Sequence, residues 1–360
     1  MVARDEQRDC APTFQLSFHK MEGCGNDYIY VVLDEQESPE AVDFLRAHAG
    51  DVAILVADRH FGIGGDGLVL VDRDDDCDAR MIMFNRDGSR SSMCGNALRC
   101  IAKLVGDRQP ERVDISIATD ETRVAVRVTR GDDGAVHAAS VDMGAPILDL
   151  DRIPFVAGPS ARLCAAAESD AHGATRLAEV EIDVCDLTLR ASVVSFGNPH
   201  CVVFIDDVEA LAPFAETDLV GLDVATIGAA LEGHACFPLG VNVEFVAIAA
   251  DGSHCLQRTW ERGSGETKAC GSGACATALA AALRRGSGPR ARTVDGAHVV
   301  RLIGGDLSIA IGDATGGAVR MSGPARHVFA GVFTLRHVPT GRYDGFSIAT
   351  TPVRGPASCC

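Results

Sequence analysis

Apolar residues along this chain fall mostly into short, β-branched runs, each bounded by Gly, Asp, Asn or Pro. Strands joined by turns carry that signature. The pattern predicts strands over Tyr28–Leu33, Gly67–Val71, Val113–Ile117, Thr122–Val128, Val193–Phe196, Cys201–Phe204, Asn242–Ile248 and Val299–Ile303. Helical periodicity is clear in three places. Ser38–Ala49 opens on Ser-Pro, an N-cap with proline at the first helical position. Leu98, Ile101, Ala102 and Val105 follow the i, i+3, i+4, i+7 spacing of a buried stripe, and Cys275, Ala278, Leu279 and Ala282 repeat it. The expected fold class is α+β, with many strands and few helices.

The last two helices divide the chain into comparable halves. Gly25-Asn26 precedes the first and Gly197-Asn198 the second, and a cysteine follows each asparagine 68 and 72 residues on, at Cys94 and Cys270. Asn85 stands nine residues before Cys94, and Glu261 stands nine before Cys270. Each cysteine continues into glycine and a small polar residue, as Cys94-Gly95-Asn96 and Cys270-Gly271-Ser272. Four matches in one order point to an internal duplication. The domains expected are 14–140 and 141–333, joined near Met143-Gly144-Ala145-Pro146, with an N-terminal extension at 1–13 and a tail at 334–360.

Bulk properties narrow the partners. A net charge of −17 argues against non-specific nucleic-acid binding. No run approaches the length of an apolar membrane span, and the charged first 14 residues have no signal-peptide core. A cytoplasmic protein is expected, without membrane partner; a homodimer is left open. In a reducing compartment the 14 cysteines are thiols, and no CxxC spacing suggests a metal site. Neither a metal nor a cofactor is expected. Cys164, Cys185, Cys236 and Cys255 read as core or surface filler, and Cys359 and Cys360 as an exposed end.

A Cys-Gly-polar turn entering a helix leaves backbone N–H groups pointing outward, where the macrodipole is positive. Such a start binds carboxylate and should lower a cysteine pKa, making thiolate available near neutral pH. Two of them facing each other could flank one carbon with a base on one side and an acid on the other. That is the requirement of stereoinversion. Without pyridoxal phosphate, the charge that spreads into the α-carboxylate must be held by preorganised donors, which two helix starts supply.

The segments Phe18–Asp27, Phe84–Ser89, Met93–Cys100, Gly197–His200, Val241–Phe245 and Trp260–Cys275 resemble the diaminopimelate epimerase family, in order, from about residue 16 to 333. The resemblance implies two pseudo-symmetric domains, each a curved sheet or barrel wrapped round a central helix, with the active site in the cleft between them. It implies a pyridoxal-independent interconversion of L,L- and meso-diaminopimelate, toward lysine and peptidoglycan. Cys94 then corresponds to the proton donor and Cys270 to the acceptor, with backbone amides of Gly95, Asn96, Gly271 and Ser272 on the reacting carboxylate. Asn26, Asn85, Asn198, Asn242, Glu261 and Arg262 would hold substrate, the arginine pairing with its distal carboxylate, and His200 would tune a thiol. On the residues alone, Asn26, Asn85 and Asn198 also read as turn positions, Glu261-Arg262 as a surface ion pair and His200 as a core histidine.

Other readings keep the cysteines. A racemase of histidine, glutamate or proline shares the chemistry and differs in the distal pocket. A non-catalytic amino-acid-binding protein or a thiol redox protein would keep the cleft. One departure from the family pattern stands out. Cys-Gly-Asn is followed by Ala97 where glycine is usual, which is tolerable only at negative φ. Residues 1–14, a stretch around 157–177 and 334–360 read as additions.

Overall fold

The strands Asn26–Val32, Gly67–Asp72, Pro199–Phe204 and Asn242–Ile248 are buried on both faces along most of their length, so each half of the molecule needs two covers. The computed structural model describes residues 13–166, 168–169, 175–284, 290–312, 317–337 and 343–351. The first half contains β1 (Thr13–Gly23), β2 (Asn26–Val32), α1 (Pro39–Ala57), β3 (Gly67–Asp72), β4 (Ala79–Asn85) and β5 (Arg90–Ser91). It continues through α2 (Gly95–Arg108), β6 (Asp114–Ala118), β7 (Arg123–Arg130) and β8 (Val136–Asp142). Next come β9 (Ala161–Ala165) and a short hairpin, β10 (Glu168–Ser169) with β11 (Thr175–Arg176). The second half has β12 (Ala178–Val184), β13 (Leu187–Ser195), β14 (Pro199–Phe204), α3 (Val224–Glu232), β15 (Asn242–Ile248) and β16 (Cys255–Glu261). It closes with β17 (Gly265–Thr267), α4 (Gly271–Leu283), β18 (His298–Leu302), β19 (Gly305–Ile311) and β20 (Val319–Pro324), followed by β21 (Arg326–His337) and β22 (Tyr343–Thr351). The architecture is α+β, as expected.

The duplication shows in the pairing. β2 runs parallel to β3 with Tyr28 opposite Gly67, and β14 runs parallel to β15 with His200 opposite Asn242. In both halves the next strand is antiparallel, β3 with β4 and β15 with β16, and then a parallel partner follows, β6 and β18. The halves join where β8 lies antiparallel to β20, with Ser140 opposite Ser322 and their hydroxyls 2.6 Å apart.

Alternating side chains distribute the core. Along β2, Tyr28, Tyr30 and Val32 face α2, while Ile29, Val31 and Leu33 just beyond face α1. Along β15, Val246 and Ile248 face α4, while Val243, Phe245 and Ala247 face the α3 side. The inner core packs α2 and α4 together, and the outer helices close the remaining faces. Burying each large side chain in these layers contributes roughly 1.5–3 kcal/mol.

Three expectations change. The helix predicted over 38–49 starts as expected, with Ser38 accepting from the Ala41 amide, but it continues to Ala57 through a bend at His48. Gly50 does not stop it; its bare α-carbon lets the helix pass the Gly88 carbonyl, which a β-carbon would approach to 2.8 Å. Helix α3 was not anticipated. The tail placed from 334 starts inside β21, whose residues pair with β1 from Thr13 to Glu22, so the chain returns to the first half before 333. Phe333 and Leu335 pack there against Leu16 and Phe18. Residues 1–12 and 352–360, Cys359 and Cys360 included, lie outside the described residues.

Candidate active site

Each cysteine caps an inner helix. Cys94 is the N-cap of α2 and Cys270 the N-cap of α4, both with extended backbone. The first intrahelical bonds run from Leu98 N to Cys94 O and from Ala274 N to Cys270 O. The three preceding amides of each helix, at 95–97 and 271–273, are therefore left to side chains or ligand. Gly273 N donates to Cys270 Sγ at 3.4 Å.

The two starts are neighbours. A β-carbon on Gly95 would stand 2.5 Å from Met321 Cε, and one on Gly271 would stand 2.9 Å from Met321 Sδ. One buried methionine of β20 thus underlies both helices, and its side chain would have to move to admit a β-carbon at either glycine. The starts open on one cavity of about 440 Å³, lined by Asn26, Cys94, Gly95, Asn96, Asn198, Glu261, Arg262, Cys270, Gly271 and Ser272. Ten of the thirteen expected site residues are brought together there.

The other three stand behind it or apart. His200 is fully buried, with Nδ1 2.8 Å from Glu244 Oε1 and Nε2 3.1 Å from Asn198 Oδ1. Asn242 is buried too; its amide donates to Pro199 O and its oxygen accepts from Arg262 N. It positions the arginine and does not reach the cavity wall. Asn85, at the end of β4, donates to Ser89 Oγ at 3.0 Å and is not on the wall. The turn reading describes it here.

Around Cys94 the polar groups form a chain. Asn26 Nδ2 donates to Asp66 Oδ2 at 2.8 Å, which turns Oδ1 toward Asn96 Nδ2 at 3.0 Å and Cys94 Sγ at 4.0 Å. Arg59 bridges Asp66 and Asp27, and Lys20 pairs with Asp27 at 2.5 Å. Tyr28 adds to the wall beside them. Each sulfur thus meets both kinds of group: Cys94 has the Asn26 carbonyl and the Ala97 and Asn96 amides, while Cys270 has the Glu261 carboxylate, the Gly273 amide and the Ser272 hydroxyl at 3.6 Å.

The expectation of a lowered thiol pKa does not hold for either cysteine. Burial pushes the Cys94 thiol up against the pull of the Ala97 and Asn96 amides. Burial pushes Cys270 well up, and the Glu261 and Glu244 carboxylates add to this against Ser272 and the Gly273 amide. Desolvation outweighs the helix field. Burial also raises the Glu261 carboxyl, against a 2.5 Å hydrogen bond from Thr267 Oγ1. Arg262 lies at the exposed edge, with Nη1 on Leu239 O.

Glu244, Asp66 and Tyr28 were not anticipated. Glu244 had a visible signal, a carboxylate inside an otherwise apolar strand. Ala97 is a helical residue, fully buried and outside the positive-φ residues, so its departure from glycine is accommodated.

A family model described as diaminopimelate epimerase matches residues 18–148 and 192–328. A diaminopimelate epimerase from Agathobacter rectalis is 38% identical over 324 residues, covering 88% of this chain and 98% of its own. One from Geobacillus thermodenitrificans is 40% identical over 329 residues, covering 90% and 98%. Among solved structures, a phenazine biosynthesis protein of the PhzF family from Bacillus anthracis shares the fold, with a TM-score of 0.55 at 14% identity over 88% of this chain and 98% of its own. No helix among the described residues is long and apolar enough to cross a membrane.

Proposed function

The chain belongs to the diaminopimelate epimerase family, and from that premise we propose that Cys94 and Cys270 interconvert L,L- and meso-diaminopimelate by two-base proton transfer. It is an isomerase of amino-acid biosynthesis. The observation that supports these roles best is the pair of cysteine N-caps opening on one cavity.

The α-carboxylate of the substrate lies against the unpaired amides of the two helix starts, including those of Gly95, Asn96, Gly271 and Ser272. Negative charge that grows there during proton removal meets donors already in place. The α-ammonium sits by the Glu261 carboxylate, and Arg262 at the cavity edge takes the distal carboxylate. Asn26 and Asn198 stand on opposite sides of the reacting carbon, next to Asn96 and Ser272.

The two thiols enter the cycle unequally. Amides support charge on both sulfurs and the Ser272 hydroxyl adds to this at Cys270, but there the Glu244 carboxylate joins Glu261 against it. Binding of a cation beside Glu261 removes part of the repulsion that keeps Cys270 protonated. Thiolate therefore forms with substrate present. Proton abstraction by Cys270 and return by Cys94 inverts the centre, and the reverse direction swaps the roles. We place the reaction in the cytoplasm, where both thiols stay reduced.

The test is exchange of the α-hydrogen of L,L-diaminopimelate in D2O by the reduced enzyme, without added pyridoxal phosphate. Exchange with appearance of the meso form is expected. Turnover of another amino acid in its place would refute the substrate and keep the mechanism; inertness toward all amino acids would refute both. Cys94→Ala and Cys270→Ala should each lose at least about a hundredfold in epimerisation while remaining folded.

A further inference from the structure

Behind Cys270 lies a group of side chains that the proton transfers do not exhaust. One ligand atom each from His200, Glu244 and Cys270 lies within 4.8 Å of the other two. All three side chains are buried, the first two completely. Among the described residues, Glu244 Oε2 has no hydrogen-bond partner, and neither have Gln257 Oε1, from the facing strand, and Thr277 Oγ1, one turn along α4. Glu244 Oε1 and Gln257 Nε2 both border Gly273, next to Cys270 Sγ. The seam between α4 and the β15–β16 pair thus holds two unpaired acceptors, Glu244 Oε2 and Gln257 Oε1, beside an unpaired hydroxyl. Unpaired buried acceptors are costly, and a cation satisfies them.

We propose that this seam is a binding site for one soft divalent cation, with zinc the best fit, held by Cys270 Sγ, His200 Nδ1 and a Glu244 carboxylate oxygen. The donor set is that of a three-ligand zinc site, sulfur, nitrogen and oxygen, with the fourth position open. Nδ1 already faces Glu244, while Nε2 faces Asn198 Oδ1, the outer oxygen that orients a ligating imidazole. Thiolate and carboxylate together balance the double charge. Binding releases to solvent the thiol proton of Cys270 and the proton bridging His200 to Glu244. Cys270 borders the cavity, which gives the ion a path and leaves room for water as its fourth ligand. Occupancy ties up the sulfur lone pair and so stops proton transfer, reversibly on chelation. The site itself goes beyond the epimerase reading; only the inhibition rests on it.

Cobalt(II) titrated anaerobically into the reduced full-length protein should bind one equivalent and give a near-ultraviolet thiolate-to-cobalt band. Cys270→Ser should abolish the band, Glu244→Gln should weaken binding about tenfold or more, and Cys94→Ala should keep both. Zinc should displace cobalt, and in the unmodified protein it should shield Cys270 but not Cys94 from iodoacetamide, read by mass spectrometry. That measurement needs neither a folded variant nor turnover, so its failure is separate from a wrong substrate. A band kept by Cys270→Ser, or lost in Cys94→Ala because the ion bridges the two thiols, would overturn the proposal. So would zinc that leaves Cys270 alkylation unchanged.

Discussion

Glu244 Oε1 lies 2.5 Å from the point where a β-carbon on Gly273 would stand, and Cys270 Sγ lies 3.2 Å from it. At the matching step of α2, Ala97 is accommodated with its methyl fully buried. The pairing explains the difference, since Val69 lies opposite Tyr30 where Glu244 lies opposite Val202. Gly273→Ala should drive Glu244 away from His200 and cut turnover about tenfold or more. Ala97→Gly should instead cost about 1 kcal/mol of stability by loosening the helix. Steady-state kinetics and urea midpoints on the two variants check both, and a fully active Gly273→Ala enzyme would refute the account.

Glu261 both serves the substrate and opposes the thiolate. After burial, it is the largest influence raising the Cys270 thiol. Glu261→Gln removes that charge, so the Cys270 pKa should fall while the ammonium loses its partner. Epimerisation should drop by roughly a hundredfold, yet alkylation of Cys270 by iodoacetamide at a fixed pH near 8 should speed up. The rate against pH should shift to lower pH than in the unmodified enzyme. Slower alkylation, or an unshifted profile, would show that Glu261 does not set the thiol.

How much of this was written in local pattern depends on how local each cause is. Asn242–Ile248 was read with its final bounds, because alternating burial on two covered faces leaves an apolar run between turns. Both inner helices start where Cys-Gly-polar turns placed them. Helix α3 carried a signal in Asp223 as its cap and in buried Val224, Ile227 and Leu231, but nine residues give the periodicity little length. The return of β21 to β1 is different in kind, since its partner lies some 300 residues away and no local spacing encodes it. The thiol pKa values failed for the same reason. The helix start and Glu261 were visible, while the burial and the Glu244 carboxylate arriving from β15 were not.

Asp66 acts on Cys94 through Asn26. Its carboxylate accepts from the Asn26 amide nitrogen and from Asp27 N, which leaves the amide oxygen aimed at the sulfur. Asp66→Ala frees that amide to rotate and also strands Arg59, so kcat should fall about tenfold to a hundredfold with a smaller change in KM. Stopped turnover of one stereoisomer more than the other would identify Cys94 as the thiol affected. Kinetics in both directions, with the urea midpoint as a folding control, decide it; unchanged kcat would remove Asp66 from the mechanism.

Acid stability should depend on a histidine far from the cavity. His327 Nε2 lies 2.9 Å from His19 Nδ1, and its own Nδ1 is buried without a hydrogen-bond partner among the described residues. Burial, with His19 and then Lys103 nearby, lowers its pKa from 6.5 to about 4. The sign follows from linkage. Below pH 6.5 the unfolded chain takes up a proton at this residue and the folded chain does not, until the pH nears 4. Stability from this group is thus full above 6.5 and is lost progressively down to about 4. His19, which bridges to Glu35, lies directly against His327. In His327→Asn the urea midpoint should decline less steeply over that window than in the unmodified protein. Parallel curves for the two proteins would show that the β1–β21 junction does not sense pH through this residue.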